Sequence, residues 1–165
     1  MLGSLEEWSR NAVLVGEKGK VEIDISKYEY TELVGYEVMD DVEVKVLALT
    51  AILYEKVRAI CQQMPGYAKR AHKTARARDF YDISQILENS EIDFTEPENL
   101  KHCRAIFEVK EVPKDFLLEI ENQREFHRDD WRAVTDTAAK KLEDFDHYFE
   151  RVCDLAKNLH SHWDK

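Results

Sequence analysis

The chain has 165 residues, of which 44% are hydrophobic and 35% charged, and its net charge is −10. This length suits a single domain over residues 1–165, with a buried core and a globular composition. The negative charge disfavours broad non-specific binding to nucleic acid or to an anionic membrane. No apolar run approaches the ~20 residues that span a bilayer, so no membrane association is expected.

The cysteine pattern predicts three reduced, partly buried thiols. Cys61, Cys103 and Cys153 are far apart, odd in number and outside any C-x-x-C motif. A disulfide framework or a zinc site is therefore not favoured, and a cytoplasmic protein of prokaryotic type is expected.

The N-terminal part, residues 1–46, has the character of β-structure. Residues 21–26 and 42–46 both alternate strictly between apolar and polar side chains. Such alternation is typical of half-buried strands, and the two segments predict an antiparallel pair or part of a larger sheet. A polar and aromatic connection lies between them and carries Tyr28, Tyr30 and Tyr36. If part of the sheet is missing, the edge at 21–26 is exposed and would allow a homodimer to form by edge pairing.

From Leu47 onwards the hydrophobic period becomes helical. The first helix is expected to reach about Gln63, where Pro65 and Gly66 end it. A short amphipathic helix is expected over roughly 78–89, and another begins at Pro97.

The C-terminal region predicts further helices. Residues 113–128 indicate a shorter helix with a polar connection, and a long final helix runs from Trp131 to Leu159, capped by Asp129 or Asp130. The predicted fold class is α+β: a small N-terminal antiparallel sheet, then a helical bundle.

A basic segment, residues 67–78, reverses the sign of the acidic background. It contains five Lys or Arg residues and no Asp or Glu, so an anion is expected to bind there. Those five residues are Lys69, Arg70, Lys73, Arg76 and Arg78.

Two aspartates follow the basic segment at the start of the predicted 78–89 helix. Asp79 and Asp82 are spaced i, i+3, so they share one side of a helix. Such a pair can hold a cation, orient a lysine or fix an arginine; equally, both can be helix-start acids favoured by the macrodipole. A helix–loop–helix with Lys56 on its first arm is expected to bring Lys56 to the aspartates.

These residues resemble those of the AbiEii/AbiGii-type nucleotidyltransferase toxins. The matching positions are Glu-Lys-x-Arg-Ala at 55–59 and Arg-Asp-aromatic-Tyr-Asp-Ile at 78–83, on either side of a basic connection. The resemblance extends over roughly residues 20–165 and corresponds to the C-terminal part of the family.

The resemblance implies a polymerase-β-like fold and transfer of a nucleotide from a nucleoside triphosphate to an acceptor, which is tRNA for some members. It implies catalytic roles for Lys56 and Asp79, and supporting roles for Arg58 and Asp82. The basic segment would then bind the triphosphate or an RNA backbone. Mg²⁺ is implied as the cofactor and a cognate antitoxin protein as a partner.

One part of the family pattern is missing. The family's catalytic centre has a Gly-Ser turn followed by a strand with two closely spaced carboxylates that hold Mg²⁺. Gly3-Ser4 is followed by Leu-Glu-Glu-Trp, and Asp40-Asp41 lies in an expected turn. Asp24 either matches the third metal carboxylate of the fold or is a solvent-facing strand acid. Nucleotidyl transfer by this chain alone is therefore not expected.

Two other functions are compatible with the sequence. One is a non-catalytic interaction module that binds a partner protein or RNA through the basic segment. The other is a purely structural bundle in which the basic segment is simply solvated. Replacing the segment's cations should weaken binding in the first case and change nothing in the second.

Overall fold

A computed structural model describes residues 29–139 and 141–164 of the chain. The strand predicted over 21–26, the edge pairing expected there, and Asp24 lie outside the described residues.

The described chain begins with a β-hairpin. Strand β1, Val34–Met39, pairs antiparallel with β2, Val42–Leu47. The turn between them consists of Asp40 and Asp41, both with positive φ (50° and 62°). Two consecutive left-handed residues define a type I′ turn, whose twist matches that of the flanking strands. The turn expected at Asp40-Asp41 is thus confirmed.

The sequence interpretation was wrong about the segment before this turn. It was expected to be a connection, but it contains β1, which supplies the partner of β2. Val34, Tyr36 and Val38 alternate with Gly35 and Glu37, so the segment does carry the period-2 pattern of a strand. The turn at Asp40-Asp41 then fixes its register against β2.

Helices make up most of the remaining described chain, which confirms the α+β class. They are α1 (Leu49–Cys61), α2 (Ala77–Asn89), α3 (Pro97–Val109), α4 (Phe116–Glu119), α5 (Arg124–Arg128), α6 (Trp131–Thr137) and α7 (Phe145–His162), with a 3₁₀ helix at Ile120–Gln123 between α4 and α5. The boundaries of α1 and α2 lie within about two residues of those predicted, and α3 starts at Pro97 as expected.

An aromatic cluster at the junction of α2 and α7 forms the centre of the core. The ring of Phe80 stacks on Phe149 at 5.2 Å between centroids and meets Phe145 edge-on at 5.4 Å. All three side chains are fully or almost fully buried. Because Phe80 directly follows Asp79, this packing also fixes the first turn of α2 in place.

The long final helix predicted from Trp131 to Leu159 is wrong. The chain leaves helical conformation at Ala138 (ψ 135°) and resumes it at Phe145, with Asp144 extended before it. The break lets the rings of Trp131 and Phe145 meet at 5.7 Å; in one continuous helix these residues would be roughly 21 Å apart along the axis. Asp130 occupies the N-cap position of α6, but its side chain makes no capping hydrogen bond.

The expectations about the cysteines and about membrane-spanning segments can both be compared with the described residues. Cys61, Cys103 and Cys153 are all free and buried, and burial raises the pKa of the Cys153 thiol to about 11. In residues 29–139 and 141–164 no helix combines the length and apolar character needed to cross a bilayer.

Candidate functional site

Helices α1 and α2 pack together so that Lys56 lies between two carboxylates. Its Nζ donates to Asp79 Oδ1 at 3.1 Å and to Asp82 Oδ2 at 2.8 Å. The i, i+3 spacing on α2 puts both aspartates on the side facing α1. The helix–loop–helix expected from the sequence therefore does bring Lys56 to this acid pair.

Two arginines bind the remaining carboxylate oxygens. Arg76 Nε donates to Asp79 Oδ2 at 2.6 Å, and Arg78 Nε donates to Asp82 Oδ1 at 3.0 Å. We call these five residues the Lys56 cluster: Lys56, Arg76, Arg78, Asp79 and Asp82. With three cations against two anions, the cluster carries one excess positive charge.

Burial differs across the Lys56 cluster. The Asp79 side chain is 8% exposed, whereas that of Asp82 is 26% exposed and that of Arg78 is 56% exposed. Asp79 also lies in the first turn of α2, where the helix dipole favours a negative charge. Asp79 is therefore the structural centre of the cluster, and the Arg78–Asp82 pair lies at its solvated edge, where ion pairs contribute little.

The surroundings keep Lys56 charged. Burial of the ammonium lowers its pKa, but the hydrogen bond to Asp82 and the interactions with Asp79 together outweigh burial and raise the pKa above the ordinary lysine value. An ammonium has three N–H donors, and the two aspartates accept from two of them. In the described part of the chain the third N–H has no acceptor.

An open cleft of about 290 Å³ adjoins the Lys56 cluster. Its charged lining residues are Lys56, Arg76 and Asp79 of the cluster, together with Glu55 and Arg58. Arg58 is itself paired: its guanidinium donates to Glu55 Oε2 at 2.9 Å and to Gln62 Oε1 at 2.7 Å. This pairing holds Arg58 along α1 and adds no net charge to the cleft.

The basic segment does not form one continuous cationic surface. Arg76 and Arg78 belong to the Lys56 cluster, whereas Lys69 is ion-paired with Glu111 after α3. Lys73 Nζ turns inward to the carbonyl oxygens of Gln62 at 3.2 Å and Tyr67 at 2.6 Å. Arg70 donates to the His72 carbonyl oxygen at 3.1 Å and makes no ion pair with the residues that the structure describes.

The position of Lys73 gives a first prediction. Lys73→Ala removes one hydrogen bond to Gln62 at the C-terminal end of α1 and one to Tyr67 in the connection that follows, so we expect a loss of about 1 kcal/mol in the free energy of unfolding. Arg70→Ala is the matched control and should change that free energy by less than about 0.5 kcal/mol. Urea denaturation of both variants measures the difference; equal stabilities would show that the Lys73 bonds contribute nothing.

His127 on α5 is a polar residue of this region that the sequence did not single out. It is fully buried, and its Nδ1 accepts the backbone N–H of Arg76 at 3.1 Å. Burial, with a smaller effect of Arg76, lowers its pKa to about 4, so the imidazole is neutral at physiological pH. No local pattern could have revealed this contact, because 51 residues separate the partners.

The described residues do not fit a Mg²⁺ ion. Between residues 29 and 164, Lys140 excepted, no group of three or more His, Cys, Asp or Glu side chains could hold a metal. Asp79 and Asp82 form a pair of carboxylates that could contribute to a metal site. However, all four of their carboxylate oxygens accept hydrogen bonds from Lys56, Arg76 or Arg78. Cations already occupy the positions where a metal would bind.

The α+β fold and the Lys56 cluster do not by themselves identify an activity. The comparison with protein families gives a class: the family model described as "Nucleotidyl transferase AbiEii toxin, Type IV TA system" matches residues 8–151. The chain therefore belongs to the AbiEii nucleotidyl transferase toxin family, and is a nucleotidyltransferase-like toxin of the type IV toxin–antitoxin class. Comparisons with curated proteins and with solved structures found no match.

Proposed function

We propose that this chain binds a nucleoside triphosphate at the cleft beside the Lys56 cluster. The observation that carries the proposal is Lys56 itself, whose third N–H has no acceptor among the described residues. A lysine ammonium is a compact donor suited to phosphate oxygens. Asp79 and Asp82 fix its position, and the excess positive charge of the cluster attracts an anion.

Arg76 is the second phosphate-binding group of the proposed site. Its Nε is used by Asp79, but its terminal nitrogens have no acceptor in the part of the chain that the structure describes. The side chain lines the same cleft and is 32% exposed. A guanidinium held through Nε presents its outer edge in a fixed direction, which suits a phosphate group that accepts two hydrogen bonds.

The proposed acceptor is tRNA, and the proposed protein partner is the cognate antitoxin of a type IV system. Arg70 and Lys69 lie on the surface of the basic segment, where an RNA backbone has access to them. Lys73 is not part of this surface, because its ammonium is engaged by the carbonyl oxygens of Gln62 and Tyr67. RNA binding through a few such contacts would weaken steeply with salt.

We further propose that the chain does not catalyse nucleotidyl transfer alone. Support comes from the sequence, which lacks the Gly-Ser turn followed by two strand carboxylates, and from the Asp79–Asp82 pair, whose oxygens are neutralised by cations. We also propose that the protein acts in the cytoplasm.

The test of the proposed function combines calorimetry with tRNA labelling. We expect saturable binding of nucleoside triphosphates at sub-millimolar to millimolar concentration, and no transfer of labelled nucleotide to tRNA. No heat at millimolar nucleotide, together with salt-dependent binding of RNA or of a partner protein, would favour the non-catalytic interaction module instead. Metal-dependent labelling of tRNA would contradict the proposed inactivity.

A further inference from the structure

His127 connects the core to the Lys56 cluster through the backbone of Arg76. The Arg76 N–H donates to His127 Nδ1 at 3.1 Å, and the Arg76 carbonyl oxygen accepts the Asp79 N–H at 2.9 Å. The Arg76 side chain binds Asp79 a second time through Nε. Three hydrogen bonds therefore lead from the imidazole to the carboxylate that holds Lys56.

The imidazole also packs on the residue that follows Asp79. Its ring lies 5.0 Å from that of Phe80, with an angle of 52° between the planes. Phe80 is itself wedged between Phe145 and Phe149. His127 thus contacts the first turn of α2 on both sides of Asp79, through a hydrogen bond at residue 76 and through packing at residue 80.

This arrangement needs one tautomer of the neutral ring. Because Nδ1 accepts the Arg76 N–H, it carries no proton, and the proton of the neutral imidazole lies on Nε2. In the described structure Nε2 is buried without a hydrogen-bond partner. A buried donor without a partner costs free energy, so a purely apolar ring would suit the core better. The histidine is therefore explained by its Nδ1 acceptor and not by packing.

We propose that His127 is a positioning residue that fixes the start of α2, and through it the Asp79 carboxylate, so that Lys56 is aimed at the cleft. The inference concerns the geometry of the Lys56 cluster, and its effect on nucleotide affinity rests on the proposed function. A role in positioning differs from a role in stability, because it predicts which replacement side chains preserve the site.

Four variants separate positioning from packing. His127→Phe keeps the ring but removes the acceptor, whereas His127→Asn places an amide oxygen close to the position of Nδ1. His127→Gln extends its amide towards the position of Nε2 instead. Leu159→Ala is a matched core variant: Leu159 is fully buried and lies on α7 roughly 15 Å along the axis from Phe149.

Two readouts are measured on each variant. The ¹⁵Nζ chemical shift of Lys56 reports its hydrogen bonds to the aspartates, and calorimetry gives the affinity for a nucleoside triphosphate. His127→Phe should move the Lys56 signal towards that of an exposed lysine such as Lys101 and weaken nucleotide binding on the order of fivefold to tenfold, the effect of one hydrogen bond. His127→Asn and Leu159→Ala should leave both readouts near wild type.

The inference is overturned if folded His127→Phe leaves the Lys56 signal unchanged, or if Leu159→Ala moves it as far. Should His127→Phe fail to fold, the His127→Asn and His127→Gln variants are compared instead. The inference requires the Lys56 ¹⁵Nζ signal to stay at its wild-type position in His127→Asn and to move away from it in His127→Gln. If the wild-type chain binds no nucleotide, the proposed function fails, while the Lys56 resonance still tests the positioning role.

Discussion

Asp79→Asn should lower the free energy of unfolding by about 2–4 kcal/mol, the cost of leaving partly buried cations without their counter-ion. Asp79 is the most buried member of the Lys56 cluster and accepts from both Lys56 and Arg76. The Lys56 and Arg76 side chains are 24% and 32% exposed. Water therefore compensates part of the loss, and the expected cost lies below that of a fully buried pair.

Asp82→Asn is the matched control for this prediction. It removes the same charge from the same helix and also contacts Lys56, but Asp82 lies at the solvated edge of the cluster. We expect a loss of about 1 kcal/mol or less in the free energy of unfolding. Denaturation in urea at pH 7 measures both variants. Equal losses would show that burial of Asp79 does not set the energetics of the cluster.

Acidification from pH 6.5 to pH 4 should cost about 3 kcal/mol of stability through His127 alone. The imidazole is neutral in the fold because burial lowers its pKa to about 4, whereas in the unfolded chain it titrates near 6.5. Between these two values the unfolded state binds the extra proton. The contribution of His127 is therefore complete above about pH 6.5, falls as the pH decreases, and is lost below about pH 4.

The comparison of wild type with His127→Asn isolates this effect from the many carboxylates of the chain. Both proteins share every other titrating group, so the difference between their free energies of unfolding should change by about 3 kcal/mol between pH 7 and pH 4. The His127 imidazole resonance, followed by NMR, gives its pKa directly. A difference that stays constant with pH would contradict the neutral, buried state of this histidine.

Local sequence patterns were sufficient to predict the part of the site formed by α1 and α2. Helical spacing of apolar residues gives the bounds of both helices, and the i, i+3 spacing of Asp79 and Asp82 gives their shared side. Together with the break at Pro65-Gly66, these patterns predicted a helix–loop–helix with Lys56 on its first arm and the aspartates on its second. The connection spans the 15 residues 62–76, so the prediction rests on helix geometry and not on a tight turn.

Three features that sequence reasoning missed depend on tertiary contacts that the hydrophobic and charge patterns do not encode. The 138–144 segment continues an acceptable helical pattern, but the helix ends before it and a new helix starts at Phe145, an arrangement in which the rings of Trp131 and Phe145 meet. The contact of His127 with Arg76 likewise arises only when α5 packs against the start of α2. The inward turn of Lys73 depends on the carbonyl oxygens of Gln62 and Tyr67, and a count of basic residues does not reveal these acceptors.

The measurement that tests the central claim most directly is a calorimetric titration with nucleoside triphosphate of wild type, Lys56→Ala and Lys101→Ala. Lys101 is a surface lysine on α3 paired with Glu98, so its variant removes the same charge away from the cleft. The proposed function predicts saturable binding by wild type and Lys101→Ala, and a loss of about 10- to 100-fold in affinity for Lys56→Ala. Equal affinities for all three proteins would contradict the assignment of the nucleotide site to Lys56.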